Sequence, residues 1–189
     1  VDVEKFYVAK FPKDNINFLC VSRLKGDKGL RDYASAAKIV KNKFPTVTFN
    51  LVGPEETSPD AISLEEVNRW SDYISYKGNT KDVRPFISEA HVYVSPSYHE
   101  GLPRSTLEAM SMGRAVITTD APGCKETVKN GVNGFIVPTG SIDKLVEKMI
   151  WFIERPDQIE PMGIESRRMT VEKFDVHKVN VKMLDIMTL

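Results

Sequence analysis

The sequence predicts an α/β domain, a doubly wound parallel sheet with helices on both faces. Two observations carry this. Apolar strand-like runs alternate with helical patterns about six times along 189 residues. The runs are nearly continuous in apolar residues rather than alternating, as in INFLCVS (Ile16 to Ser22), and such runs suit strands buried on both faces. No internal repeat or low-complexity segment competes with this reading.

Residues 1–15 carry Pro12, Lys13, Asp14 and Asn15 and read as an entry segment and turn. Ile16 to Ser22 is the first strand, and Arg23 to Lys28 the loop at its carboxyl end. Leu30 to Phe44 has apolar residues at helical spacing and is stopped by Pro45. Val47 to Val52 is the second strand, broken by Gly53-Pro54. Glu55 to Ser63 is polar and rich in turn residues, hence a loop. Leu64 to Asp72 places Leu64, Val67 and Trp70 on one helical face. Ile74 to Lys77 is a short third strand, Asp82 to Glu89 a short helix, and His91 to Val94 the fourth strand. A helical pattern through Leu107, Ala109 and Met110 stops at Gly113. Ala115 to Thr119 is the fifth strand, Cys124 to Lys129 a short helix, and Phe135 to Val137 the sixth strand, stopped by Pro138. Ser141 can cap a helix that runs to Ile153, with Asp143 in its first turn. The remainder reads as helix and connector, with a break at Phe174 to Val176.

Composition narrows the function. Lys plus Arg and Asp plus Glu both total 26, so the formal net charge is zero, which argues against nucleic-acid binding by bulk charge. Two cysteines make no disulfide framework: Cys20 reads as a buried small hydrophobe, and Cys124 has no neighbouring His. That usage points to a reducing, cytoplasmic compartment. His91, His99 and His177 have no metal-ligand spacing, although His99 adjoins Glu100. The longest apolar runs are only a few residues, too short for a membrane span.

Two groups of residues carry chemistry. Glu100 and Glu108 stand eight residues apart, one in the loop after the fourth strand and one on the next helix. A turn through Gly101 and Pro103 lets both face one cleft at the carboxyl end of the sheet, where ligands of open α/β sheets bind. The helix start beside Glu100 favours anions. Arg23 and Lys28, five residues apart around Gly26, can converge on one anion, the former with a planar fork and the latter with a compact charge.

The stretch PSYHEGLPRSTLEAMSMGRAVITTDAPGCKETVKNGVNGFIV, with Ser22-Arg23-Leu24 through Lys28-Gly29, resembles the C-terminal half of a retaining glycosyltransferase of the GT-B fold, in the large family with an E-x7-E motif (family 4, group 1). The resemblance covers about Phe18 to Val137. It implies a Rossmann-like nucleotide-sugar-binding domain over residues 16–170, entered from an interdomain linker at 1–15. A C-terminal helix over 171–189 would pack toward a missing N-terminal domain. VDVEKF at the start resembles the entry to that second domain, so the chain reads as part of a larger enzyme and as inactive alone.

The resemblance also assigns roles. Arg23 and Lys28 hold the donor diphosphate, and Glu108 the two ribose hydroxyls. Glu100 faces the transferred sugar as the catalytic carboxylate. The backbone N–H groups of Gly101 and Leu102 meet the sugar or its phosphate. The base is expected against Tyr76, Lys77 and Thr80. Many relatives have a small or apolar residue where this chain has Arg104. The chain has no Asp-x-Asp metal motif, so no metal and no other cofactor is expected. The donor is expected to be UDP-linked, carrying a hexose or N-acetylhexosamine. The expected acceptor is a glycan or polyprenyl diphosphate in bacterial surface-polysaccharide assembly, at the inner face of the membrane, with peripheral membrane contact through the full-length enzyme. Two alternatives stay open, a UDP-sugar epimerase of the same fold and a non-catalytic nucleotide-binding module. Paired carboxylates would also suit a glycoside hydrolase, but there the basic loop has no task.

Overall fold

Buried backbone groups must find partners, and the most apolar runs do so in the middle of one sheet. The structure, a computed structural model, describes residues 1–187. Six parallel strands are ordered β3-β2-β1-β4-β5-β6. They are β1 (Asn17–Val21), β2 (Thr48–Val52), β3 (Ser75–Tyr76), β4 (Val92–Ser95), β5 (Ala115–Thr119) and β6 (Gly134–Val137). Every residue of β4 and β5 is buried, whereas β3, at an edge, is two residues long and partly exposed. The strand order reverses between β1 and β4, the switch point at which open sheets bind ligands.

Alternate residues of each strand feed opposite cores. Phe18 and Cys20 of β1, Phe49 of β2 and Ile117 of β5 face α1 (Leu30–Lys43) and α5 (Ile142–Glu154). Phe18 and Phe49 stack with centroids 5.2 Å apart. Leu19, Val52, Tyr93 and Val116 face the other way, with Ile87 of α3 (Arg84–Glu89), Leu107 and Met110 of α4 (Arg104–Ser111) and Met169 of α6 (Ile159–Lys173). The doubly wound architecture is therefore the one the sequence predicts.

Some boundaries differ for physical reasons. The expected helix from Leu64 to Asp72 is only α2 (Leu64–Asn68), because i→i−3 bonds from Arg69, Trp70 and Ser71 tighten the chain and bring Trp70 and Ile74 into the core. The helix expected at Cys124 to Lys129 is a single 3-10 turn, Lys125–Thr127. Ser141 stands at the start of α5 as expected, but its side chain makes no capping bond. The break near Phe174 separates α6 from α7 (Val176–Met187). The last two residues of the 171–189 segment lie outside the described residues.

The entry segment is fastened and not free. Val3 and Phe6 are buried on the α4–α6 side, and Arg167 donates to the carbonyls of Val3, Phe6 and Ser111. Arg114, 1% exposed, sits at the start of β5 and donates to the carbonyls of Ile87, Ser88 and Lys10. Burial pulls its guanidinium down to about 10, still charged at neutral pH. These two arginines fix residues 1–10 against the sheet's amino end and α4.

Candidate active site

Two loops meet at the switch point. The first leaves β1 as Ser22 to Gly29 and contains a 3-10 turn, Gly26–Lys28. The second leaves β4 as Pro96 to Pro103 and enters α4. Their backbones touch. Gly29 has φ 66°, and a Cβ built there would lie 2.0 Å from the Pro96 carbonyl oxygen, so only glycine permits the approach. The Tyr98 N–H donates to the Asp27 carbonyl at 2.8 Å, and the Tyr98 hydroxyl to Asp32 at 2.6 Å, which with burial pushes the phenol up to about 12.

The cleft between the loops holds about 550 Å³ and takes in Arg23, Lys28, Glu100 and Glu108, with Gly53 and Pro54 at the end of β2. Two pairs of residues, some seventy positions or more apart in sequence, are thus brought to one surface. Lys28 Nζ lies 2.7 Å from Glu100 Oε1, with side chains 13% and 22% exposed. Ser97 Oγ donates to the same carboxylate oxygen at 3.2 Å. Arg23 does not join Lys28 on a shared partner. Its guanidinium reaches outward to Glu56 Oε2 at 2.5 Å.

Glu108 sits half-buried on α4, between this cleft and a smaller cavity of about 230 Å³ beside Lys5 and Phe6. Burial raises its carboxyl above the ordinary value, against the pull of Arg104 one turn earlier, Lys5 and the chain's amino terminus. Gly101 and Leu102 are exposed at the cleft mouth, and among the described residues their N–H groups have no acceptor. His99 contributes its carbonyl, 3.5 Å from Lys28 Nζ.

Tyr76, Lys77 and Thr80 stand beyond the cleft's lining, at the end of β3. The Tyr76 ring packs on the core, and its hydroxyl donates to the Gly53 carbonyl at 2.8 Å. Thr80 Oγ1 is engaged with the backbone of Asp82. Lys77 is exposed.

Several supporting residues escaped the sequence reading because their roles depend on contacts between distant segments. Asp60, in the loop after β2, accepts from the Asp27 N–H at 2.8 Å and so grips the 3-10 turn that carries Lys28. Thr119, ending β5, donates to the Ser97 carbonyl at 2.6 Å and holds the Glu100 loop from below. Gly123 has φ 81°, and a Cβ there would lie 2.2 Å from the Glu100 carbonyl oxygen and 2.3 Å from that of Gly101. Of these, only Gly123 carries a local signal, because a Pro122-Gly123 pair marks a turn.

Comparison with known proteins shows the family. Residues 15–155 match the family described as glycosyl transferases group 1. The chain is 32% identical over 72% of its length to the N,N'-diacetylbacillosaminyl-diphospho-undecaprenol alpha-1,3-N-acetylgalactosaminyltransferase of Campylobacter jejuni, and covers 35% of that protein. It is 30% identical over 90% of its length to the capsular polysaccharide biosynthesis glycosyltransferase CapM of Staphylococcus aureus, and covers 45% of it. The chain thus spans less than half of either relative. Among solved structures, Anabaena Alr3699/HepE in complex with UDP-glucose matches the whole chain with a TM-score of 0.86 at 22% identity, over 55% of its own length.

The contact at Gly123 is testable without any ligand. Gly123→Ala adds left-handed strain and a clash with the Glu100 loop, whereas Gly131→Ala, at φ 78° with nothing within 4 Å, adds strain alone. In urea denaturation Gly131→Ala is expected to cost about 1 kcal/mol, and Gly123→Ala distinctly more. Equal losses would contradict the packing of Gly123 under the Glu100 loop.

Proposed function

The chain belongs to the group 1 glycosyl transferases, and we propose that it is the donor-binding, C-terminal half of a retaining, metal-independent enzyme that transfers a hexose or N-acetylhexosamine from a UDP-sugar. The observation that carries this reading is the meeting of Lys28, Glu100 and Glu108 in one cleft at the switch point. The acceptor proposed is a polyprenyl-diphosphate-linked or other glycan of a bacterial surface polysaccharide. The names of the two relatives, one with a diphospho-undecaprenol acceptor and one in capsule synthesis, support that choice. The acceptor would be held largely by an N-terminal domain, at the cytoplasmic face of the membrane. Among the described residues no helix is long and apolar enough to cross a membrane. We place the exposed face of α7 toward that N-terminal domain.

In this reading the diphosphate lies over Lys28 and the exposed N–H groups of Gly101 and Leu102, with Arg23 closing on it from the rim. The developing charge on the leaving diphosphate is met by these donors, with no metal required of the site. Glu108 accepts from both ribose hydroxyls, a task that suits an ionised carboxylate, which is an acceptor only. Glu100, released from Lys28 as the phosphates take that cation, accepts from hydroxyls of the transferred sugar. The acceptor attacks from the face that the diphosphate leaves, and a phosphate oxygen takes its proton. No protein nucleophile is needed, and the configuration is retained. The base lies toward Tyr76, Lys77 and Thr80, at the ends of β2 and β3.

Calorimetric titration with UDP tests the assignment. Lys28→Ala or Arg23→Ala should weaken UDP by about 1.5–3 kcal/mol, the scale of hydrogen bonds to charged groups, and leave uridine little changed. Equal losses for UDP and uridine would assign these residues to the fold and not to the phosphates.

The Glu108 carboxyl gives a second test, in pH. Its raised pKa means that the folded chain holds this proton more tightly than the unfolded chain, so its contribution to stability grows as pH falls. Ribose binding needs the ionised form and so follows the opposite trend. UDP affinity should decline as pH falls through a value above the ordinary 4.5, and Glu108→Gln should flatten that decline while lowering affinity at pH 7. An unchanged pH profile in Glu108→Gln would remove Glu108 from the nucleotide site.

A further inference from the structure

Both candidate phosphate-binding cations already have carboxylate partners in the structure. Lys28 is paired with Glu100, which has its own place in the cleft. Arg23 is paired with Glu56, which is not part of the cleft's lining and which the donor reading leaves without a task. We infer that Glu56 is a positioning residue that holds the Arg23 guanidinium at the rim, and that a nucleoside diphosphate bound in the cleft engages Arg23 by drawing it away from this carboxylate. The inference rests on the donor-binding function proposed above.

The two partners are unequal. Glu56 is the fixed one, with a side chain 18% exposed against 56% for Arg23. Its second oxygen, Oε1, accepts from the Thr57 N–H at 3.1 Å. The loop that carries Glu56 is fastened to the loop that carries Arg23. The Leu24 N–H donates to Pro54, the Ile62 N–H to Leu24 and the Gly26 N–H to Asp60, all at 2.8 to 2.9 Å. The approach at the base of the two loops is closer still, since a Cβ on Gly53 would lie 1.8 Å from the Ser22 carbonyl oxygen. Arg23, in contrast, has no hydrogen bond other than this pair for its guanidinium among the described residues. Rotation about its own bonds can carry it from Glu56 into the cleft that Arg23 lines.

A diphosphate offers the guanidinium two acceptor oxygens in the geometry that a carboxylate offers. The exchange leaves Arg23 paired but strips Glu56 of its cation while a dianion arrives nearby. Glu56 therefore lowers affinity for any ligand that recruits Arg23 and has no effect on one that does not. An exposed pair of this kind is weak, so the effect is modest.

The experiment titrates UDP and uridine into the wild-type chain, Glu56→Gln, Arg23→Ala and the double variant, with Glu56→Ala as a check that the direction does not depend on the replacement. Removal of the carboxylate should tighten UDP about threefold, as expected for loss of an exposed competing pair. Uridine should be unchanged, and in the Arg23→Ala background the gain should vanish. UDP affinity that is unchanged or weaker in Glu56→Gln, or a gain that persists without Arg23, would overturn the inference and leave the donor reading standing. No UDP binding by any variant at millimolar ligand would overturn the donor reading and the inference together.

Discussion

The cleft depends on how closely two backbone loops approach at the switch point. Strands β1 and β4 run side by side, but their helices leave on opposite faces, so the loops after them diverge and a groove opens. The loops stay in register because Gly29 lets the chain pass against the Pro96 carbonyl, and because the Tyr98 N–H reaches Asp27 across the groove. That contact brings Lys28 within 2.7 Å of Glu100. A side chain at position 29 would clash with the Pro96 carbonyl and force the two loops apart.

Charge in the site is held by hydrogen bonds from neighbouring segments. Asp60 fixes the turn under Lys28, Thr119 fixes the carbonyl of Ser97, and Ser97 in turn donates to Glu100. The desolvated Glu108 is the opposite case, a carboxylate kept half-buried at a cost to folding. Such shifted groups cluster at functional sites. The pairs Lys28–Glu100 and Arg23–Glu56 neutralise the cations that the donor reading assigns to phosphate. Diphosphate binding in that reading is an exchange of anions, in which the ligand replaces carboxylates on the same donors.

The fold was legible because parallel strands buried on both faces leave continuous apolar runs, and all six runs from Ile16 to Val137 became strands of one sheet. The residues that carry charge into the cleft were legible for a related reason. Arg23, Lys28, Glu100 and Glu108 lie just after strands or on the following helix, and chain order fixes which end of a parallel sheet those positions occupy. Glu56, Asp60, Thr119 and Gly123 were not legible as site residues. Each acts through a partner at least twenty residues away in sequence, and nothing in local pattern reports such a pairing. The short α2 was missed because burial of Trp70 and Ile74 overrode a helical spacing that extended to Asp72.

A crystal structure of the chain with UDP tests the central claim most directly. The account predicts the diphosphate at the switch point between β1 and β4, with its oxygens on Lys28 and the N–H groups of Gly101 or Leu102 and the ribose hydroxyls on Glu108. Nucleotide bound elsewhere, such as the hollow lined by Phe11, Ile16 and His91 at the amino ends of the strands, or a diphosphate out of reach of Lys28, would contradict it.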